Sequence, residues 1–122
     1  MGFDWNEFLA LASYLAGETG TRYSQEAAKR TSVSRAYFAT FCYARNYATS
    51  NQGFNPAQRA IDHKHLREHF KKLGGIWAEI AEALEDLRKW RNQCDYDDVV
   101  NGLDRLVAEA ISAAKTALTL CG

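Results

Sequence analysis

Proline occurs once in this chain of 122 residues, at Pro56, and on both sides of it apolar residues return every three or four positions. That spacing places them on one face of an α-helix. A half-buried strand needs alternation at every second residue, which the chain nowhere sustains, and its β-branched residues are scattered inside helical patterns rather than bounded by turn formers. The expected fold class is therefore all-α.

Five helical segments can be marked out. Asp4 can cap the first, with Glu7 three residues on and Phe3 placed to staple against Phe8. That helix would bury Trp5, Phe8, Leu9, Ala12 and Leu15 before Gly17 and Gly20 stop it. A second, longer helix starts near Ser24 and carries Ala27, Ser34, Tyr37, Phe38, Phe41, Ala44 and Ala48 along one stripe. Turn formers from Asn51 to Pro56 interrupt the pattern. The third helix begins either at Asn55, with Pro56 in its first turn, or at Asp62, and ends at Gly74-Gly75. The fourth runs from Ile76 through Ile80, Ala83, Leu84, Leu87 and Trp90 as far as Arg91 and Cys94. Asp97 or Asp98 can cap a fifth that bears Val100, Leu103, Leu106, Val107, Ala110, Ile111, Ala114 and Leu118. Short loops between such helices favour an up-and-down four-helix bundle with an additional short helix, and residues 1–122 form one domain with one core.

Composition excludes several classes of function. No run approaches the ~20 apolar residues of a membrane helix. The first residues carry Asp4 and Glu7 and no basic leader, so the expected location is cytoplasmic. Cys42, Cys94 and Cys121 are an odd number of well-separated residues, which suits reduced thiols in or near the core better than a disulfide framework or a zinc site. Net charge is zero, but residues 1–19 hold three acids and no Lys or Arg, residues 20–72 hold ten basic against three acidic, and residues 73–122 hold five basic against nine acidic. The middle block can attract phosphates while the molecule as a whole stays neutral, although such a run also serves as ordinary solvated surface.

Arg91-Asn92-Gln93-Cys94-Asp95-Tyr96 closes the fourth helix and is the stretch least suited to a core. Arg91 continues the apolar register of Leu84, Leu87 and Trp90, so its guanidinium should lie at the edge of the buried stripe, where an unpaired charge is costly and a phosphate or carboxylate is a fitting partner. Against this stands a purely structural reading: Arg91 and Asp95 are four residues apart and can form an intrahelical ion pair, with Tyr96 covering the bundle end. Among the histidines, His65 and His69 share a face but lack the acidic residues that would complete a metal site, so neither a metal nor a cofactor is expected. Tyr14, Tyr23, Tyr37, Tyr43 and Tyr47 interleave with Arg22, Arg30, Arg35 and Arg45, the composition of a face that stacks bases and neutralises phosphates. Tyr37, Phe38 and Phe41 belong to the core stripe; Arg30, Arg45 and Tyr47 are freer.

Taken together, Ser34-Arg35-Ala36-Tyr37-Phe38-Ala39-Thr40-Phe41, then His63-Lys64-His65-Leu66 with Phe70, then Arg91-Asn92-Gln93-Cys94-Asp95-Tyr96 resemble the HEPN superfamily of small prokaryotic helical proteins, over about residues 24–115. The resemblance implies a four-helix up-and-down bundle that is usually a homodimer. It implies metal-independent ribonuclease activity in many members, which act as toxin-antitoxin or defence components beside a nucleotidyltransferase partner. The catalytic signature it implies is an arginine, a neighbouring polar residue and a histidine several positions later, supplied by both protomers across a cleft. Arg91 matches the arginine and Asn92 its neighbour, while Tyr96, after Asp95, stands where the histidine would be; part of the family shares this departure. A histidine titrating near ~6.5 can take the proton of a ribose 2′-hydroxyl, and a tyrosine near ~10 is a poor base. The expected site is thus Arg91, Asn92, Asp95 and Tyr96, flanked by Arg35, Arg45, Tyr47, His63 and His65 as nucleic-acid contacts. If His63 or His65 faces Arg91, a general base is restored. Two functions follow: binding of RNA or a nucleotide with slow cleavage, or a non-catalytic module for a protein partner.

Overall fold

The computed structural model describes residues 2–17 and 23–122. Five α-helices follow in order: α1 Asn6–Ala16, α2 Gln25–Asn51, α3 Ile61–Leu73, α4 Ile76–Tyr96 and α5 Leu103–Cys121. No strand occurs among the described residues, and no helix among them is long and apolar enough to cross a membrane.

The longest helix, α2, is central: α1, α4 and α5 all pack on it, while α3 packs on α4. Its sequence explains how one helix accepts three neighbours. Ala28, Ser32, Ala36, Ala39, Thr40, Ala44 and Ala48 are small and buried on several sides of it, letting other backbones come close, and Val33, Tyr37 and Phe41 fill what is left. The two buried hydroxyls have partners. Ser32 Oγ donates to the Ala12 carbonyl on α1 at 2.7 Å, and Thr40 Oγ1 donates back to the Ala36 carbonyl at 2.8 Å. Leu66 and Phe70 from α3, Ile80, Leu84 and Leu87 from α4, and Val107, Ala110 and Ala114 from α5 complete one continuous core. Cys42, Cys94 and Cys121 are all buried free thiols.

Helix ends show where local rules prevailed and where they did not. The second helix starts beside Ser24 as expected, and Ser24 caps it, its Oγ accepting from the Ala27 N–H at 3.0 Å. Phe3 does pack edge-on against Phe8, with centroids 5.2 Å apart, but the capping box at Asp4 does not form. The Asp4 carboxylate instead accepts from the backbone and side-chain amides of Asn6. Gly17 ends α1, and Gly20 lies outside the described residues. Of the two starts open to α3, the one at Asp62 is realised within a residue. Asp62 is buried and takes backbone N–H groups from Ala57, Gln58 and Arg59 at 2.7, 2.8 and 3.3 Å, tying the turn after Pro56 to the helix.

Four expectations need correction. Ala27 is exposed and Ala28 is the buried residue, because α2 begins its buried arc one residue later. Ile76 is exposed, and the next residue, Trp77, is the one that turns inward to stack on Phe70. Neither Asp97 nor Asp98 caps α5, and Val100 precedes that helix: it starts at Leu103 after Gly102, whose φ of +66° suits a residue without a side chain. Arg30 is not free. Its guanidinium donates to the carbonyls of Cys94, Asp97 and Asp98 at 3.1, 2.6 and 3.1 Å, and Glu26 holds its Nε. A cation thus closes the C-terminus of α4, where unpaired carbonyls and the helix dipole favour positive charge.

Candidate functional site

Arg91 lies on the last turns of α4, facing α2. Its guanidinium sits 5.0 Å over the Phe38 ring and 5.8 Å from the Tyr96 ring. Nη1 donates to Asn92 Oδ1 at 3.2 Å. Nε approaches Asp95 Oδ2 to 2.9 Å, so the intrahelical ion pair forms; yet the N–H is not aligned with that oxygen, and buried Nε is left without a hydrogen bond. Nη2 has none among the described residues. The side chain is 24% exposed and that of Asp95 28%, so neither is walled off. Ser34, buried on α2, reaches Asp95 Oδ2 at 3.5 Å and receives a contact from Arg35 Nη2 at 3.4 Å. Arg35 itself lies over the rings of Phe8 and Phe38, at 4.8 and 5.2 Å. The helix end therefore holds two arginines on an aromatic bed with one carboxylate between them.

His63, in the first turn of α3, is the second centre. Its ring stacks on Phe41 with centroids 3.8 Å apart, and its Nδ1 meets the hydroxyl of Tyr37. Burial pushes the Tyr37 hydroxyl up to about 12, against the pull of Arg67 and Arg91, so the phenol keeps its proton. Tyr37 is 1% exposed and Nδ1 is the one acceptor that the structure offers its hydroxyl among the described residues. The phenol must then donate, because the reverse arrangement would bury its proton unsatisfied. This puts the remaining imidazole proton on Nε2. Burial, then the charges of Arg91 and Arg67, hold His63 below its ordinary 6.5, with Asp62 opposing. The ring is thus neutral, within reach of the field of Arg91, and presents an N–H rather than a lone pair.

The remaining expected contacts divide. Arg45 is half-buried, held by Asn46 Oδ1 at 3.1 Å and lying over Phe41 and Trp5 at 5.7 and 5.9 Å. Tyr47 is no open platform: it stacks on Trp77, which stacks on Phe70. His65 is exposed, away from the aromatic cluster that holds His63. His69 meets Gln52 Oε1 at 3.0 Å. Arg22 lies outside the described residues. Among the described residues no group of three His, Cys, Asp or Glu side chains converges as metal ligands. Sequence reasoning missed Glu85, which gathers Arg67 at 2.9 Å and Arg88 at 2.9 Å; the Arg88 bond, then Arg67, pull its carboxyl below the usual range. It also missed Arg59 and Asn46, which join Arg45 and His63 around one groove. A lone arginine beside the single proline carries no periodic signal, so only the fold reveals Arg59.

Compared with protein-family models, with curated proteins and with solved structures, the chain matches none.

Proposed function

We propose that this chain is a HEPN-like helical protein, an up-and-down four-helix bundle with one additional short helix, that works as a homodimer and binds RNA or a nucleotide in a cleft built around Arg91 and Asn92 of both protomers. The observation that carries the reading is the incomplete satisfaction of Arg91. A half-buried guanidinium with Nε unaligned and Nη2 unengaged is the state expected of a group that completes its hydrogen bonds with a phosphate. Arg35 nearby and Arg45 further along α2 extend the cationic path, with His63 a neutral N–H donor beside Arg45. Tyr96 and Val99, 73% and 74% exposed beside the site, offer apolar area for a second protomer.

The chemistry supports binding better than turnover. Cleavage without metal needs a base for the 2′-hydroxyl, and the tyrosine at position 96 and the Nε2 proton on His63 both leave that base weak. The Arg91–Asp95 pair favours a second reading, a non-catalytic interaction module whose partner, on the family resemblance, is a nucleotidyltransferase. Incubating purified protein with total RNA in chelator, beside Arg91→Ala, separates them. Slow cleavage lost in the variant favours the ribonuclease; identical profiles in both lanes favour the non-catalytic module.

A further inference from the structure

Apart from the cleft proposed around Arg91, the surface holds a groove of about 610 Å³ between the C-terminal half of α2 and the turn leading into α3. Arg45, Arg59 and His63 line it, with the polar side chains of Asn46, Thr49 and Gln58. Most arginines of the chain are matched to carboxylates: Arg30 to Glu26, Arg67 and Arg88 to Glu85, Arg91 to Asp95 and Arg105 to Glu109. Arg45 and Arg59 form no ion pair among the described residues. The one acid at the groove, Asp62, spends both its oxygens on the backbone N–H groups of Ala57, Gln58 and Arg59, so its charge is met there. His63 is fixed from behind by Tyr37 and by its stack on Phe41, leaving Nε2–H as the nitrogen open to a ligand.

Two unmatched guanidinium groups and a fixed N–H donor around one concavity ask for a compact, oxygen-rich anion with more than one charge. A volume in the range of ordinary small-molecule sites, about 300–1,000 Å³, leaves room for a sugar and base beyond it. We infer that this groove binds a phosphomonoester, with Arg45 and Arg59 gripping the phosphate and His63 donating to it. The group has two natural sources, a free nucleotide and the 5′-phosphorylated end of an RNA. The inference rests on the reading that the cationic face of α2 meets phosphates, and not on the Arg91 cleft.

The test titrates wild type, Arg59→Ala, Arg45→Gln and Arg91→Ala with adenosine 5′-monophosphate, with adenosine, and with one short RNA bearing either a 5′-phosphate or a 5′-hydroxyl, by calorimetry and amide chemical shifts. Arg59 is exposed and its side chain makes no hydrogen bond among the described residues, so its loss leaves the fold intact. The expected result is binding of the monophosphate and not of adenosine, weakened roughly tenfold or more in each groove variant. A preference for the 5′-phosphorylated RNA assigns the groove to chain ends; equal RNA affinities with monophosphate binding assign it to free nucleotides. Failure of the monophosphate to bind, affinity equal to wild type in both groove variants, or loss in Arg91→Ala alone overturns the groove. Unchanged RNA affinity in Arg91→Ala is a separate result, bearing on the cleft and not on this site.

Discussion

His63 concentrates more of the chemistry than any other residue, and its titration exposes its surroundings. Burial, Arg91 and Arg67 depress its folded value below 6.5. The unfolded chain therefore binds the proton more readily, and the stability this group contributes is complete above 6.5 and is lost as the pH falls through the folded value. His69, also depressed by burial and Lys72, acts in the same direction. Asp62 and Glu85 are held below their ordinary 3.8 and 4.5, so their losses come at lower pH: burial opposes the ionisation of Asp62 and its three backbone donors outweigh it, while Arg88 holds Glu85. Thermal midpoints should fall between pH of about 6.5 and 5, and His63→Gln should flatten that part of the profile. Parallel profiles would mean that the histidine is not held neutral. His63 was legible as a candidate from its place before Leu66 and Phe70, but its tautomer was not, because that depends on a tyrosine 26 residues away.

Element ends were legible where the deciding groups are close in sequence. Ser24 and Asp62 act within five residues; Ser24 stood at the expected helix start and Asp62 at one of two starts left open. Where the partner is distant the sequence is silent: Arg30 closes the end of α4 across 64 to 68 residues, and nothing local distinguishes it from the other arginines of α2. The start of α5 was misplaced for a related reason. Asp97 and Asp98 are good caps by type, but their carbonyls are claimed by Arg30, and the chain turns only at Gly102. Arg30→Ala leaves three carbonyls unsatisfied at a partly exposed site and should cost about 2 kcal/mol. Urea unfolding would show this as a lower midpoint with an unchanged slope. An unchanged midpoint would mean that water replaces the guanidinium without loss.

Over the whole molecule, helical period and a single proline sufficed for the all-α architecture, because helix formation is set by residues a turn apart. The central position of α2 could be reached only in part. Its stripe was visible, but burial on several sides comes from small residues that look neutral in a periodicity count. The site followed the same pattern: Arg91 was found through its register, its pairing with Asp95 was foreseen as one of two outcomes, and the unaligned Nε emerged only from the geometry. Charge is arranged so that a neutral molecule carries a cationic middle segment, and RNA affinity should rest on few contacts. Fluorescence anisotropy of a labelled single-stranded RNA, in chelator, with wild type and Arg91→Ala at matched stability, tests this most directly. Affinity should drop about tenfold or more in the variant, as for loss of a charge-assisted bond to phosphate. Equal affinities would contradict a phosphate-gripping role for Arg91 and leave its pair with Asp95 as a brace for the end of α4.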